Sequence, residues 1–303
     1  MTKVFLRHHA VAIVRTALSF LGTLWLMLRV TLFAWPGAQA LVERTATRLP
    51  WLPLLLCLIA AVVAVRPRMS VLCHFDKRDL DIEVRLGDMF SVEGDYVVST
   101  NTTFDTSVEG GLISPLSVQG QFTRRFYVNV GRLDADIERA LQEAAGKSIS
   151  VSPPRKTRRY PVGTVAKISV ESATPRRGGF AYLIAIDEID SSGTLESSFE
   201  MLHAALSSLW VYVNEQGGAG RVVTGLLGSG HARVPVSQER ILREMIDSFI
   251  ACSAQRKVCD RLTIVVRPGD YLRNRLSLTR MSRYLDHVRA YGPLADPLGP
   301  GTG

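Results

Sequence analysis

From about residue 81 onward, short runs of β-branched and apolar residues alternate with longer stretches whose apolar positions recur every three to four residues. The first pattern predicts strands at 82–86, 96–100, 162–170, 180–186, 221–226 and 262–266. The second predicts helices. Ser117 opens one with Val118, Phe122 and Phe126 on one face, and Asp134 caps one with Ile137, Ala140, Leu141 and Ala144 inward. A longer helix presents Phe199, Leu202, Leu206, Leu209 and Val213; Ser237 opens another, and 271–288 forms the last. Alternation of this kind predicts an α/β domain with helices on both faces of a sheet.

Before residue 66 the pattern changes to two nearly unbroken apolar runs, 16–35 and 49–65. Each is near the length of about 20 residues that a bilayer-crossing helix needs. The first carries one charge, Arg29, and the second none. An arginine costs about 2.5–3.5 kcal/mol at mid-membrane and less where it can snorkel toward an interface. Trp35 and Trp51 would mark one shared interface. Lys3, Arg7 and Arg15 precede the first run, and Arg66, Arg68, Lys77 and Arg78 follow the second. Arg44 and Arg48 lie between them, offset in part by Glu43. That bias puts both termini on the inner side of a transmembrane hairpin. A cleaved signal peptide fits less well, because the second run follows at once with no small-residue cleavage site. The expected organisation is a hairpin over 1–68, a ligand-binding domain over 69–291 and a Pro/Gly-rich, unstructured tail over 292–303.

Composition agrees with this division. The 303 residues are 47% hydrophobic and the mean hydropathy is +0.13, an excess concentrated in the two runs. Much of the net charge of +8 flanks them, and no basic stripe interleaved with aromatics follows. Anionic lipid is therefore the expected partner of that charge, and nucleic acid is not. Cys57, Cys73, Cys252 and Cys259 form no C-x-x-C pair and read as reduced, mostly buried thiols. No Ser-His-Asp, Cys-His or P-loop constellation is present, and Asp105 and Glu109 have no partner at metal-ligand spacing. Neither a catalytic residue nor a metal site nor a cofactor is expected. The run Arg155-Lys156-Thr157-Arg158-Arg159 reads as an exposed loop.

The candidate chemistry lies where strands end in glycine loops. After the strand at 96–100 come Asn101, Gly110, Gly111 and then Ser117 at a helix start. After the strand at 221–226 come Gly228, Ser229, Gly230, His231 and Arg233, shortly before another helix. Strand, glycine loop and helix can aim free backbone N–H groups and a helix dipole at a phosphate. Such glycines also close ordinary turns, Asn101 also fits an Asx-turn, and Arg233 also fits a solvent-facing loop. Gly87-Asp88-Met89 adds a third strand end.

The order strand, Gly-Asp-apolar, strand ending in Asn, glycine loop resembles the macro domain, over roughly 81–289. Asn101-Thr102-Thr103-Phe104-Asp105-Thr106 and the segment 113–122, behind an apolar hairpin, resemble the membrane-anchored macro-domain effectors of type II Thoeris antiphage systems. The resemblance implies a macro-like three-layer αβα domain with a mixed sheet, binding an ADP-ribose derivative. Asp88 would accept from the adenine amino group, with the Met89 backbone beside it, and Asn101 would face the distal ribose. Gly110 and Gly111 would line the first phosphate loop and Gly228 to His231 the second; Arg233 departs from the family pattern, standing where a glycine is usual, and fits either a pairing with a phosphate or ligand carboxylate or a solvent-facing loop. The implied ligand is ADP-ribose conjugated to histidine, made by a partner TIR-domain enzyme. Its binding would drive homo-oligomerisation and damage to the bacterial inner membrane. The alternative is a membrane-bound macro-domain hydrolase of ADP-ribosyl or nucleotide derivatives, set back by the arginine in the second loop and by the lack of a general base.

Overall fold

The computed structural model describes residues 2–34, 51–64, 69–109, 112–151, 156–170, 179–189, 195–216, 219–228, 234–274 and 276–294. The chain divides into two compact units, Met1–Arg68 and Met69–Gly303.

In the first unit, α1 (Thr2–Ala34) packs against α2 (Leu52–Ala64). Among the described residues no helix is long and apolar enough to cross a membrane. The two spans expected at 16–35 and 49–65 are thus unsupported by these helices. At 13 residues α2 reaches about 20 Å, short of a hydrocarbon core of about 30 Å. The helix α1 is longer, but Arg29 interrupts its apolar stretch and Arg15 bounds it. Its apolar side chains are nonetheless exposed, among them Leu18, Trp25, Leu26 and Phe33, as are Leu54 and Leu56 of α2.

The second unit is built on one mixed sheet. Its strands are β1 (Ser70–Phe75), β2 (Leu80–Leu86), β3 (Asp95–Asn101), β6 (Val165–Val170), β7 (Gly179–Ile189), β8 (Leu195–Glu196), β9 (Ala219–Gly225) and β10 (Cys259–Val266). The order is β1-β2-β10-β9-β3-β7-β6, with β8 beside β7. From β2 to β7 every pairing is parallel, and β1, β6 and β8 add antiparallel edges. A separate hairpin joins β4 (Ile149–Ser150) to β5 (Arg158–Arg159). The strand β1, which alternates exposed and buried residues, was not expected from sequence; its three inward positions are Val71, Cys73 and Phe75.

Helices cover both faces, as the alternation predicts. On one face α3 (Val118–Phe126) and α4 (Val130–Ala140) bury Phe122, Leu133 and Ile137 against Tyr96, Val98 and Ala185. On the other, α5 (Phe199–Glu215), α6 (Gln238–Gln255) and α8 (Leu278–Tyr291) bury Trp210, Phe249 and Leu285 against Val97, Ile184 and Ile264. Successive strand residues such as Tyr96 and Val97 serve opposite clusters, the period-two consequence of a pleated strand.

Three local expectations are corrected. The helix expected to start at Asp134 begins at Val130 instead, capped by Asn129, whose Oδ1 accepts from the Gly131 N–H at 2.8 Å. The helix expected over 271–288 is two, α7 (Pro268–Arg273) and α8, the latter with its own Ser277 cap. The basic run 155–159 is not a uniformly solvated loop, because Lys156 turns inward to an ion pair with Asp134 at 2.6 Å. Arg155 and residues 295–303 of the tail lie outside the described residues. The cysteines are free, and burial pushes the Cys259 thiol up to about 12, so it stays protonated.

Candidate functional site

The parallel strands all present their carboxyl ends to one edge, which gathers Asp88 after β2, Asn101 at the end of β3 and Gly228 after β9. The chain leaves β9 toward β10 on one side and leaves β3 toward β6 and β7 on the other. The helices that follow these two strands, α6 and α3, cover opposite faces. Such a switch point opens a crevice at the carboxyl edge, where ligands of open α/β sheets bind.

Close approach at this crevice is measurable. A Cβ on Gly225, the last residue of β9, would lie 3.4 Å from Met89 Sδ and 3.5 Å from Val118 Cγ2. The end of β9, the turn after β2 and the first turn of α3 therefore meet at one place. Glycine is required nearby for two reasons. Gly228 has φ +66°, and a Cβ there would meet Val234 Cγ2 at 2.7 Å; at Gly120 a Cβ would fall 2.2 Å from the Ser114 carbonyl oxygen.

At the β2 end, Asp88 caps the 3₁₀ turn Met89–Ser91. One carboxylate oxygen accepts from the Phe90 N–H at 3.1 Å, and the other pairs with Arg125 Nη1 at 2.7 Å. The Arg125 guanidinium lies 5.1 Å from the Phe90 ring centroid. The Asp88 side chain keeps 44% of its surface exposed, so acceptor capacity remains for an incoming donor. Met89 is buried, anchoring the turn in the α3-side cluster.

Asn101 is placed differently. Its Oδ1 accepts from the Asp105 N–H at 3.0 Å, and its Nδ2 donates to Asp105 Oδ2 at 2.8 Å. The Thr103 hydroxyl, 2.7 Å from the same carboxylate oxygen, gives its single proton there. The other Asp105 oxygen accepts from the Lys156 N–H at 3.1 Å, and the Asp105 carbonyl accepts from Gln119 Nε2 at 2.5 Å. Asn101 and Asp105 are 4% and 1% exposed, so both amide ends of Asn101 work inside the turn. Phe104 within that turn has φ +51°, a strained conformation for an aromatic, held by burial and an edge contact to Tyr160 at 5.7 Å.

Ser117 caps α3: its Oγ accepts from the Gly120 N–H at 3.0 Å and donates to the Ser114 carbonyl at 2.7 Å. Gly110, Gly111, Ser229, Gly230, His231 and Arg233 lie outside the described residues. The structure thus brings the Asp88–Met89 turn, Gly225 and the α3 start together, packs Gly228 against Val234 and Leu202 after β9, and directs Asn101 inward. Among the described residues no cluster fit to hold a metal occurs.

Sequence reasoning missed Arg125, Asp105 as an organiser, and Asp187. Arg125 carries no sequence signal, because its pairing with Asp88 is long-range. Asp105 was available as the carboxylate four residues beyond Asn101. Asp187, two residues before the end of β7, is the register partner of Asn101, and its carbonyl accepts from the Thr102 N–H at 3.0 Å. Burial raises its carboxyl to about 6, offset in part by a hydrogen bond from the Ser197 hydroxyl.

Residues 82–267 match a family described as "Thoeris protein ThsA, Macro domain". The Thoeris protein ThsA of Bacillus amyloliquefaciens (strain Y2) is 24% identical over 202 residues, 63% of this chain and 64% of that protein. The chain therefore spans 64% of the length of this curated relative. Solved structures similar to it include the Oceanobacillus iheyensis macrodomain with ADP, at 14% identity and a TM-score of 0.49, covering 72% of this chain and 97% of that one. The Trypanosoma brucei macrodomain in complex with ADP-ribose follows at 11% identity and a TM-score of 0.40, covering 64% of this chain and 66% of that one.

Proposed function

The chain belongs to the Thoeris ThsA macro-domain family, and on that premise we propose that it is an antiphage defence effector that senses an ADP-ribose-derived messenger. The observation that carries the reading is the convergence, at the carboxyl edge of the sheet, of the turn holding the half-exposed Asp88 carboxylate, Gly225 at the end of β9 and the amino end of α3. Asp88 accepts from the purine amino group. The glycine loops after β3 and β9, with Gly110, Gly111, Ser229, Gly230, His231 and Arg233, take the diphosphate. The messenger is an ADP-ribose–histidine conjugate supplied by a TIR-domain enzyme.

Binding favours an assembled state through differential affinity for the two forms, and assembly disrupts the inner membrane. The exposed apolar residues of α1 and α2 support a lipid-facing role for the first unit, with both termini cytoplasmic. The chain acts by binding and carries no catalytic step. Calorimetry with ADP-ribose and its histidine conjugate tests the sensor, and dye release from anionic vesicles tests the effector. Binding without turnover, and leakage only with ligand, are expected. Absence of binding to either compound removes the proposal, and turnover of the conjugate replaces it with a hydrolase.

A further inference from the structure

The two edges of the sheet are finished differently. The edge strand β6 carries Lys167, whose ammonium lies 4.2 Å from the Phe180 ring centroid, and the Tyr127 hydroxyl sits 3.4 Å from the Ser169 carbonyl oxygen. A lysine and an occupied backbone group keep such an edge from pairing with another chain. The edge strand β1 reads SVLCHF, with no lysine or proline, and its register with β2 runs without a bulge. Among the described residues no strand lies beyond it. The Leu86 N–H donates to the Met69 carbonyl at 2.8 Å, which sets the phase of the ladder. Val71, Cys73 and Phe75 therefore turn their backbone groups to β2, and Ser70, Leu72 and His74 turn theirs outward.

The side chains along this margin are ordered too. Ser70, Leu72 and His74 share a face with Arg85, Glu83 and Asp81, their register partners on β2. It is the face that α3 and α4 cover farther in, yet no residue of β1 or β2 joins the cluster beneath those helices. Leu72 is left 55% exposed. Charge is divided along the strip. At one end His74 Nδ1 lies 2.9 Å from Asp81 Oδ1, and the Asp76 and Asp79 carboxylates lie 3.5 and 3.9 Å from its Nε2. At the other end Arg85 stands beside the small Ser70. A two-fold axis through Leu72 sets Leu72 against its own copy and Ser70 against the partner's His74. The arginine end of each copy then meets the carboxylates of the other, and every outward backbone group of β1 finds a partner.

We propose that β1 is the surface through which two copies of this chain pair, edge to edge and antiparallel about Leu72, so that the sheet continues from one copy into the next. The pairing supplies a surface for the assembly proposed above and rests on that reading. Opposed Leu72 residues would hold their Cα atoms about 5.5 Å apart, within the span of a disulfide. Two Ser70 residues would be displaced by about 13 Å along the strands. The test is mild oxidation of the full chain in detergent micelles, with and without ADP-ribose, read as dimer on a non-reducing gel. Leu72→Cys should cross-link well above the unaltered chain, Ser70→Cys alone should not, and Ser70→Cys mixed with His74→Cys should. Leu72→Lys, which opposes like charges at an exposed position, should keep its thermal midpoint and weaken dimerisation in sedimentation at least about tenfold. Equal cross-linking of Leu72→Cys and Ser70→Cys would mean random encounter and overturn the proposal, as would unaltered assembly of Leu72→Lys. If the chain assembles and none of these variants cross-links or disturbs it, only this inference falls. If it stays a single copy with and without ADP-ribose, the assembly reading falls with it.

Discussion

Two turns at the same edge of the sheet begin alike and end differently. Each opens with a short polar side chain at or just after a strand end, Asp88 after β2 and Asn101 at the end of β3, and each accepts a hydrogen bond from a backbone N–H a few residues on. Asp88 is held by an arginine that is itself 43% exposed, so its carboxylate stays in contact with solvent. Asn101 is held by Asp105, a carboxylate 1% exposed that also takes the Thr103 hydroxyl and the Lys156 N–H. A polar residue at a strand end is open to a ligand only where its own partners leave it exposed. The β3 turn uses its polar groups as a frame, and the β2 turn keeps one in reserve.

The sharpest way to break this contrast is to remove the frame. Asp105→Ala leaves Asn101 Nδ2, the Thr103 hydroxyl and the Lys156 N–H without their shared acceptor in a buried turn that also holds Phe104 at φ +51°. Each unpaired buried group costs about 1–3 kcal/mol, so a loss of about 3 kcal/mol or more is expected in the unfolding free energy from urea denaturation. A loss under 1 kcal/mol would show that the turn is held by its apolar contacts instead.

Asp187 sharpens the contrast from the opposite side, as a carboxyl that is buried with less compensation. Its folded pKa of about 6 lies above the usual carboxylate value of 3.8 because burial disfavours the anion more than Ser197 favours it. The folded chain then holds a proton that the unfolded chain has already released. This contribution to stability is present below about pH 4 and is lost as pH rises toward 6. Asp187→Asn should remove that decline and leave the variant up to about 3 kcal/mol more stable at pH 7. Denaturation midpoints taken from pH 4 to 7 check both the sign and the window; parallel curves for the two proteins would rule the effect out.

Most of this fold could be read from period and punctuation. Strands with β-branched runs and helices opened by Ser117 and Ser237 were legible because their signals are local: side-chain alternation, and a hydroxyl that accepts from the N–H three residues on. The strand β1 was missed because its outward Ser70, Leu72 and His74 leave only three inward residues to carry the pattern. The start of α4 was misplaced because Asp134 resembles a cap, although its carboxylate accepts instead from Thr106 and pairs with Lys156. The site divides in the same way. Asp88 and Gly228 were legible as strand-end residues, whereas the Asp88–Arg125 pair depends on long-range pairing that no local spacing encodes. Asn101 and Asp105 were both visible as polar residues, but only their mutual burial shows that one occupies the other.

The smallest stability effect tests the reserve itself. Asp88→Ala removes a cap and an exposed ion pair, which together are worth about 1 kcal/mol, because a half-exposed pair with Arg125 adds little beyond the cap. Asp88→Asn keeps an acceptor for the Phe90 N–H and should change stability by only a few tenths of a kcal/mol. Affinity should behave otherwise. Both variants lose the anionic acceptor, and hydrogen bonds to charged groups contribute about 1.5–3 kcal/mol, so binding of ADP-ribose should weaken by about tenfold or more in each. A variant that loses stability without losing affinity would make the Asp88 turn a frame like that of Asn101, and the difference between the two turns would disappear.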